Sequence, residues 1–190
     1  MTPATDQLLK AAQDAQRQGK LPPVHLWNPE FCGDLDMEIK RDGTWFYQGT
    51  PIGRKRLVRL FSTILKVEDG KYFLVTPVEK VGIRVEDAPF VAVDIEAVGE
   101  GRDQSVSFTT NVGDTVVAGE DHPIRVERDA GGEPSPYVHI RAGLEALIDR
   151  KSFYRLVDMG EAHEVDGTDM FGVWSDGVFF PIIPVAELMS

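Results

Sequence analysis

The sequence predicts an α+β protein that is mainly β, with two tandem related units of curved antiparallel sheet, each carrying one helix, and a further helix at the N-terminus. Two observations lead to this fold class. Asp-Gly pairs, the strongest short-range sign of a tight hairpin, separate alternating apolar residues at Asp42-Gly43 and Asp69-Gly70. A similar succession of extended entry, helix and aromatic-rich strand also occurs twice along the chain.

Residues 1–33 are predicted to form a helix followed by a proline-rich linker. A helix over residues 5–18 gathers small and apolar side chains on one face, and Gly19 is a typical stop. The segment LPPVHLWNPEFCG comes next, and its three prolines exclude a regular helix or a central strand. We expect this linker to pack Trp27 and Phe31 onto the body of the protein.

Residues 34–100 form the first predicted unit. The run EIKRDGTWFYQG predicts a hairpin, and the spacing of the next apolar residues changes to that of a helix over 54–66. The residues that produce this spacing, and that we expect in the core, include Leu60, Phe61 and Ile64. The runs after this helix are rich in Val, Ile and aromatic residues and therefore predict further strands.

Residues 101–190 form the second predicted unit. After Gly131-Gly132 an extended run leads into a segment with helical spacing, which predicts a helix over 141–151 and then a strand over 152–160. The apolar residues with that spacing are Leu144, Leu147 and Ile148.

Sequence similarity between parts of the chain indicates an internal duplication. The helix over 54–66 aligns with the segment 141–151, and residues 38–47 resemble 172–181, each a strand, an Asp-Gly turn and an aromatic strand. Chance similarity of amphipathic patterns is the alternative. Duplication is favoured because element order and turn chemistry recur together.

Several blocks of the sequence occur in a characteristic order, among them GTPIGRKRLVRLFSTILK, FTTNVGDTV, PYVHIRAGLEALIDR and GVWSDGVFFP. Together they resemble a bacterial family known as domain of unknown function 1285, and the similarity extends from about Leu21 onward. The resemblance implies a mainly β, two-part fold with repeated motifs and a part in ligand binding or signal transduction. It implies no catalytic residues.

Charge is distributed unevenly along the chain. Residues 1–95 hold 13 basic and 13 acidic residues and residues 96–190 hold 7 and 18, so the second half carries the whole formal net charge of −11. An acidic surface repels phosphate backbones, so we expect no nucleic-acid partner. No apolar run is long enough for a membrane span and the N-terminus lacks a signal core, which predicts a cytoplasmic protein without a membrane partner.

Metal, cofactor and catalytic signatures are missing from the sequence. Cys32 is the single cysteine, and His163 stands among loop carboxylates without the paired histidines of a zinc site. No phosphate-binding loop, dinucleotide fingerprint or nucleophile motif is found. We therefore expect no metal, no cofactor and no catalytic residue, although pairs of carboxylates remain open because 31 acids allow many combinations.

Basic residues concentrate in the first predicted helix. Arg54 and Arg56 would lie in its first turn, where cations oppose the helix dipole. Pairing with acids of the second half is one explanation. The other is that the free amides of the helix start, together with Arg54 and Arg56, bind an anion. Arg141 would stand at the equivalent start of the second predicted helix.

The strand after residue 79 carries a second group of charges. Alternation places Lys80, Gly82 and Arg84 on one face and apolar residues on the other. Such a polar face is either a solvated sheet surface or the wall of a binding cleft.

These observations favour a non-catalytic ligand-binding or regulatory protein, similar to those of signal transduction. The ligand would be small and anionic and would bind between the two units, and the residues expected to hold it are Arg54, Arg56, Arg141, Lys80 and Arg84. The alternative is a hydrolase or transferase acting on a phosphorylated small molecule, with Asp87 or Asp114 as base. In a third interpretation, the acidic second half docks onto a basic protein partner. The oligomeric state is left open.

Overall fold

The structure, a computed structural model, describes residues 3–17 and 21–190. It confirms an α+β fold that is mainly β and divides into two compact units, Met1–Pro89 and Phe90–Ser190. The boundary predicted from the sequence was residue 100. The strand before that position pairs within the second unit, which moves the division about ten residues toward the N-terminus. Among the described residues no helix is both long enough and apolar enough to cross a bilayer.

The described part of the first unit contains two α-helices and six strands. A helix at the N-terminus, α1, precedes one six-stranded sheet with the order β3-β2-β1-β6-β5-β4. All neighbouring strands are antiparallel except β1 and β6, which are parallel. The elements are α1 Pro3–Arg17, β1 Phe31–Ile39, β2 Trp45–Tyr47, β3 Thr50–Pro51, α2 Lys55–Ser62, β4 Leu65–Glu68, β5 Lys71–Val75 and β6 Lys80–Val85.

Both predicted Asp-Gly turns are present. Asp42-Gly43 lies in the turn from β1 to β2, and Asp69-Gly70 connects β4 to β5. Asp69 and Gly70 both have positive φ, as a tight hairpin turn requires. The carboxylate of Asp42 accepts the backbone N–H of Thr44 at 2.9 Å, and this bond lowers its pKa.

The helix α2 contacts α1 and, through Phe61, the strand β2 of the first sheet. Leu60 and Phe61 are buried as predicted, and the ring of Phe61 stacks on Trp45 with centroids 6.3 Å apart. The helix ends at Ser62, four residues before the predicted end. The reason is that residues from Leu65 onward pair with β5 and so continue the sheet.

The second unit contains nine strands in two sheets. Six form a sheet with the order β10-β11-β12-β7-β8-β9, and three form a small antiparallel sheet with the order β13-β14-β15. In the larger sheet only β12 and β7 are parallel. The elements are β7 Phe90–Val98, β8 Ser105–Thr110, β9 Thr115–Val117, β10 Ile124–Arg128, β11 Pro134–Arg141, β12 Leu144–Ile148, α3 Arg150–Asp158, β13 Glu161–Val165, β14 Thr168–Ser175, β15 Val178–Pro184 and α4 Val185–Leu188.

The predicted helix over 141–151 was wrong. Leu144–Ile148 forms β12, a central strand between β11 and β7, and its apolar residues are buried. The predicted strand over 152–160 is instead largely α3, whose start is capped by the Asp149 carboxylate accepting the backbone N–H of Ser152 at 2.9 Å. A central strand is apolar on both faces, so a short apolar run fits helical and extended spacing equally.

The two larger sheets share one topology, which confirms tandem related units. In each, two three-stranded meanders are joined by a parallel pairing of the first strand with the sixth. The helices are not equivalent: α2 lies between the third and fourth strands of its unit, and α3 comes after the sixth. Residues 172–181 form a strand, an Asp-Gly turn and a strand as predicted, but this β14–β15 hairpin belongs to the small sheet and is not the counterpart of residues 38–47.

Candidate functional site

The first turn of α2 carries exposed cations, as the sequence predicted. Arg54 occupies the N-cap position in an extended conformation, and no side chain caps the helix. Arg54, Lys55, Arg56 and Arg59 are all exposed. Within the described part of the first unit, none of these four side chains forms an ion pair. Pairing with acids of the second half stays a prediction.

Lys80 and Arg84 lie on the polar face of β6, while Val81 is buried, so the predicted alternation is confirmed. Both cations already have carboxylate partners. The Nζ of Lys80 is 2.7 Å from Oε2 of Glu68, and Nη2 of Arg84 is 2.8 Å from Oδ1 of Asp36. The Asp36 contact raises the pKa of Arg84.

Arg141 lies in the second unit at the end of β11, and not at the start of a helix as expected. Its Nη1 is 2.8 Å from Oδ2 of Asp114, and its guanidinium lies 5.1 Å from the ring centroid of Phe90. The predicted position failed because residues 141–151 do not form a helix. Arg141 is thus engaged in an ion pair that links the β11–β12 hairpin to the loop after β8.

A cavity of about 480 Å³ opens on the polar face of the first sheet. This volume lies within the range of small-molecule sites. The residues that give the cavity its chemistry are Phe31, Asp34, Lys71, Phe73, Lys80 and Gly82.

Three aromatic residues line the cavity, namely Phe31, Tyr72 and Phe73. The rings of Phe31 and Phe73 meet edge to face with centroids 5.9 Å apart, and Lys80 Nζ lies 4.5 Å from the centroid of Phe73. The sequence predicted that Phe31 would pack onto the body from a linker. Instead it begins β1 and is 54% exposed, so an apolar surface remains open at the cavity.

Gly82 forms the floor of the cavity beneath Asp34. A Cβ at Gly82 would lie 2.3 Å from Oδ1 of Asp34 and 3.5 Å from Cε2 of Phe31. The first distance is too short for two atoms that are not bonded. The absence of a side chain at Gly82 therefore allows the carboxylate of Asp34 to lie directly over β6.

Glu68 holds two of the lysines near the cavity. Its carboxylate lies 2.7 Å from Nζ of Lys80 and 3.2 Å from Nζ of Lys66. Nζ of Lys66 also donates a hydrogen bond to the carbonyl of Trp27 at 3.0 Å. The hydrogen bonds from Lys80 and Lys66 lower the pKa of Glu68. One carboxylate thus neutralises only one of two ammonium groups.

The lowered pKa of Glu68 predicts a change in acid stability. A carboxyl group with a lower pKa in the folded chain favours folding above its unfolded pKa of about 4.3, and this contribution is lost as pH falls through the folded pKa. We expect Glu68→Gln to lower the free energy of unfolding at pH 7, with the difference from the unsubstituted protein shrinking below about pH 4. Urea unfolding from pH 3 to 7 measures this difference in the free energy of unfolding. A difference that does not change with pH would contradict the prediction.

The histidine considered as a metal ligand, His163, lies among aromatic side chains. The ring of His163 packs against Trp174 and Phe179, with centroids 4.9 and 5.0 Å away. No group of three His, Cys, Asp or Glu residues is arranged to hold a metal ion in the described ranges, 3–17 and 21–190. The cavity on the first sheet, in contrast, combines an apolar surface with charged side chains.

Lys80 was predicted from the sequence, whereas Asp34, Phe31 and Phe73 were missed. The missing information was the parallel pairing of β1 with β6, which brings Asp34 opposite Gly82. The available signal was Gly82 in the middle of β6, because a glycine inside a strand often marks the close approach of another group.

Comparison with known proteins identifies one family. Residues 22–88 match the model of the N-terminal domain of DUF1285, a domain of unknown function, and residues 89–182 match the model of its C-terminal domain. No curated protein matches the chain.

Two solved structures are similar. The crystal structure of a DUF1285 family protein from Silicibacter pomeroyi DSS-3 has 65% sequence identity and a TM-score of 0.84, covering 90% of this chain and 91% of that chain. The structure of a DUF1285 family protein from Shewanella baltica OS155 has 32% identity and a TM-score of 0.51, covering 65% of this chain and 91% of that chain.

Proposed function

The chain belongs to the DUF1285 family, whose function is unknown, and we propose that it is a non-catalytic binding or regulatory protein for a small ligand with an anionic group. The observation that carries the proposal is the cavity on the polar face of the first sheet. It unites an open aromatic surface with charged side chains, the combination typical of small-molecule sites.

An anionic group fits the lysines of the cavity. Lys80 has three donors and gives one to Glu68, which Lys66 also contacts, so this cluster carries a positive excess. Lys80 is also 13% exposed, and such a partly desolvated ammonium attracts an anion more strongly than a fully hydrated one. Lys71 lines the same cavity and is exposed.

The exposed cations at the start of α2 are a second candidate for the anion site. Arg54 and Arg56 form no ion pair within the described part of their unit, and the helix start lacks a side-chain cap. Free amides and guanidinium groups together suit a phosphate or carboxylate. The sequence led us to expect the ligand between the two units, and that position stays a prediction. The cavity itself is lined by residues of the first unit.

A hydrolase or transferase is the less supported alternative. Its proposed bases each contact an arginine: Oδ2 of Asp87 lies 2.9 Å from Arg41, and Oδ2 of Asp114 lies 2.8 Å from Arg141. Each of these carboxylates is already engaged by a guanidinium group within the protein. Binding without turnover is therefore the function that we propose.

A regulatory protein also needs a means of passing on its signal. The acidic second half, with 18 acidic and 7 basic residues over 96–190, is the surface that we propose for a basic protein partner. We place this activity in the cytoplasm, because the single cysteine, Cys32, is free and exposed as a reducing compartment allows.

The proposal is tested by a thermal-shift screen of nucleotides, organic acids and other small metabolites. We expect at least one anionic compound to raise Tm, and Phe31→Ala to abolish that shift because the apolar wall is lost. The matched control is Tyr154→Ala, which removes another exposed aromatic ring from α3 of the second unit.

The two candidate sites are separated by one further variant. The double substitution Arg54→Glu and Arg56→Glu leaves a ligand of the cavity bound, whereas it abolishes binding of an anion at the helix start. If Phe31→Ala has no effect and the double variant removes the shift, the cavity is the wrong site. Turnover of a bound compound would contradict the non-catalytic proposal.

A further inference from the structure

The carboxylate of Asp34, an exposed residue, lines the cavity. It forms no hydrogen bond or ion pair with the other residues that the structure describes. Arg84 is near enough for Asp34 to contribute to its raised pKa, but the guanidinium is bound to Asp36 at 2.8 Å. Asp34 thus offers two oxygen acceptors beside the aromatic wall.

The ammonium group of Lys80 lies on the other side of the cavity floor. Asp34 Oδ1 lies over Gly82 on β6, whereas Lys80 Nζ lies over the ring of Phe73 on the neighbouring strand β5. Gly82 and Phe73 are cross-strand partners, and neighbouring strands lie about 4.8 Å apart. The ammonium group of Lys80 and the carboxylate of Asp34 form no ion pair with each other, and both line the cavity.

This cavity suits a ligand with both charges on one small head group. An ammonium group donates to Asp34 and an adjacent carboxylate accepts from Lys80, each through a charge-assisted hydrogen bond of about 2.8 Å. A ligand whose only charge is a carboxylate would leave Asp34 unpaired, and the two negative charges would repel each other. The head group of an α-amino acid carries both charges on a single carbon atom.

The apolar wall selects the side chain that the head group carries. Phe31 is 54% exposed and meets Phe73 edge to face, so its free ring surface can cover an apolar or aromatic side chain. We infer that the cavity binds a free α-amino acid with an apolar or aromatic side chain, through Asp34, Lys80 and Phe31. This inference rests on the proposed function and names the ligand class of the same site.

Isothermal titration calorimetry with the full chain tests the inference. The probes are the twenty standard L-amino acids, with 3-phenylpropionate and N-acetyl-L-phenylalanine as analogues that lack the free ammonium group. We expect an apolar or aromatic amino acid to bind, and both analogues to bind at least tenfold more weakly than L-phenylalanine. Asp34→Asn should weaken amino-acid binding at least tenfold and should strengthen 3-phenylpropionate binding, because the repulsion between two carboxylates is removed.

Gly82→Ala provides a second variant with the same expected loss. The new Cβ would displace the Asp34 carboxylate, which it would otherwise approach to 2.3 Å. Thermal melts establish that each variant is folded.

The outcomes separate this inference from the function on which it rests. If 3-phenylpropionate binds as tightly as L-phenylalanine, and Phe31→Ala abolishes both, the cavity binds anions and the assignment of an amino acid is wrong. If no amino acid and no carboxylic acid binds, the inference is overturned, and the screen of other anionic metabolites then decides the proposed function.

Discussion

Phe61→Ala is expected to lower the free energy of unfolding by about 3–5 kcal/mol, the range found when a buried aromatic ring is removed. Phe61 is fully buried between α2 and the first sheet, where its ring stacks on Trp45. The substitution removes the apolar area of the ring and leaves a cavity that the surrounding residues fill only in part. Urea unfolding monitored by circular dichroism measures the change.

The matched control for Phe61 is Lys55→Ala on the same helix. Lys55 is exposed, and surface substitutions usually change stability by no more than about 0.5 kcal/mol. A loss at Phe61 that does not exceed the loss at Lys55 would mean that α2 does not pack on the sheet through this face.

Lys80→Met is expected to weaken ligand binding by about 10- to 100-fold. A hydrogen bond to a charged group contributes about 1.5–3 kcal/mol, which is the size of this effect. Methionine has a similar apolar stem and lacks the ammonium group, which lies over the ring of Phe73. Calorimetric titration with the ligand found in the screen measures the change in Kd.

Lys66→Met is the matched control for Lys80→Met. Lys66 and Lys80 contact the same carboxylate, that of Glu68, but only Lys80 lines the cavity. Both substitutions therefore remove an ion pair to Glu68. An equal loss of affinity in the two variants would show that the effect comes from Glu68 and not from contact with the ligand.

Local signals predicted much of the fold. The Asp-Gly turns, the first part of the helix over 54–66 and the alternation in β6 were confirmed, because turn chemistry and apolar spacing are properties of a few adjacent residues. The segment 141–151 failed because the spacing of Leu144, Leu147 and Ile148 fits a buried central strand as well as a helix. The stronger signal was Asp149, which caps α3 by accepting the backbone N–H of Ser152 three residues later.

The duplication was predicted from the wrong segments. The shared element is the strand order of the two larger sheets, which depends on the parallel pairing of each first strand with its sixth. Such pairing joins residues that are far apart in sequence and leaves no local pattern. The same difficulty hid the cavity, because Phe31 and Asp34 reach Lys80 and Gly82 only through β1 and β6.

Individual charges were easier to predict than their partners. The sequence placed Lys80 and Arg84 on one face, and that face is observed. Their carboxylates come from other strands of the sheet, Glu68 from β4 and Asp36 from β1, and were not predicted. Arg54 and Arg56 were placed correctly because the start of α2 is set by local spacing.

Binding of a small ligand in the cavity of the first sheet is the central claim, and NMR chemical-shift mapping tests it most directly. The amide resonances of the isotope-labelled full chain are recorded with and without the bound compound. We expect the largest shifts at Phe31, Asp34, Phe73, Lys80 and Gly82. Shifts confined to the start of α2, or to residues of the second unit, would contradict the claim.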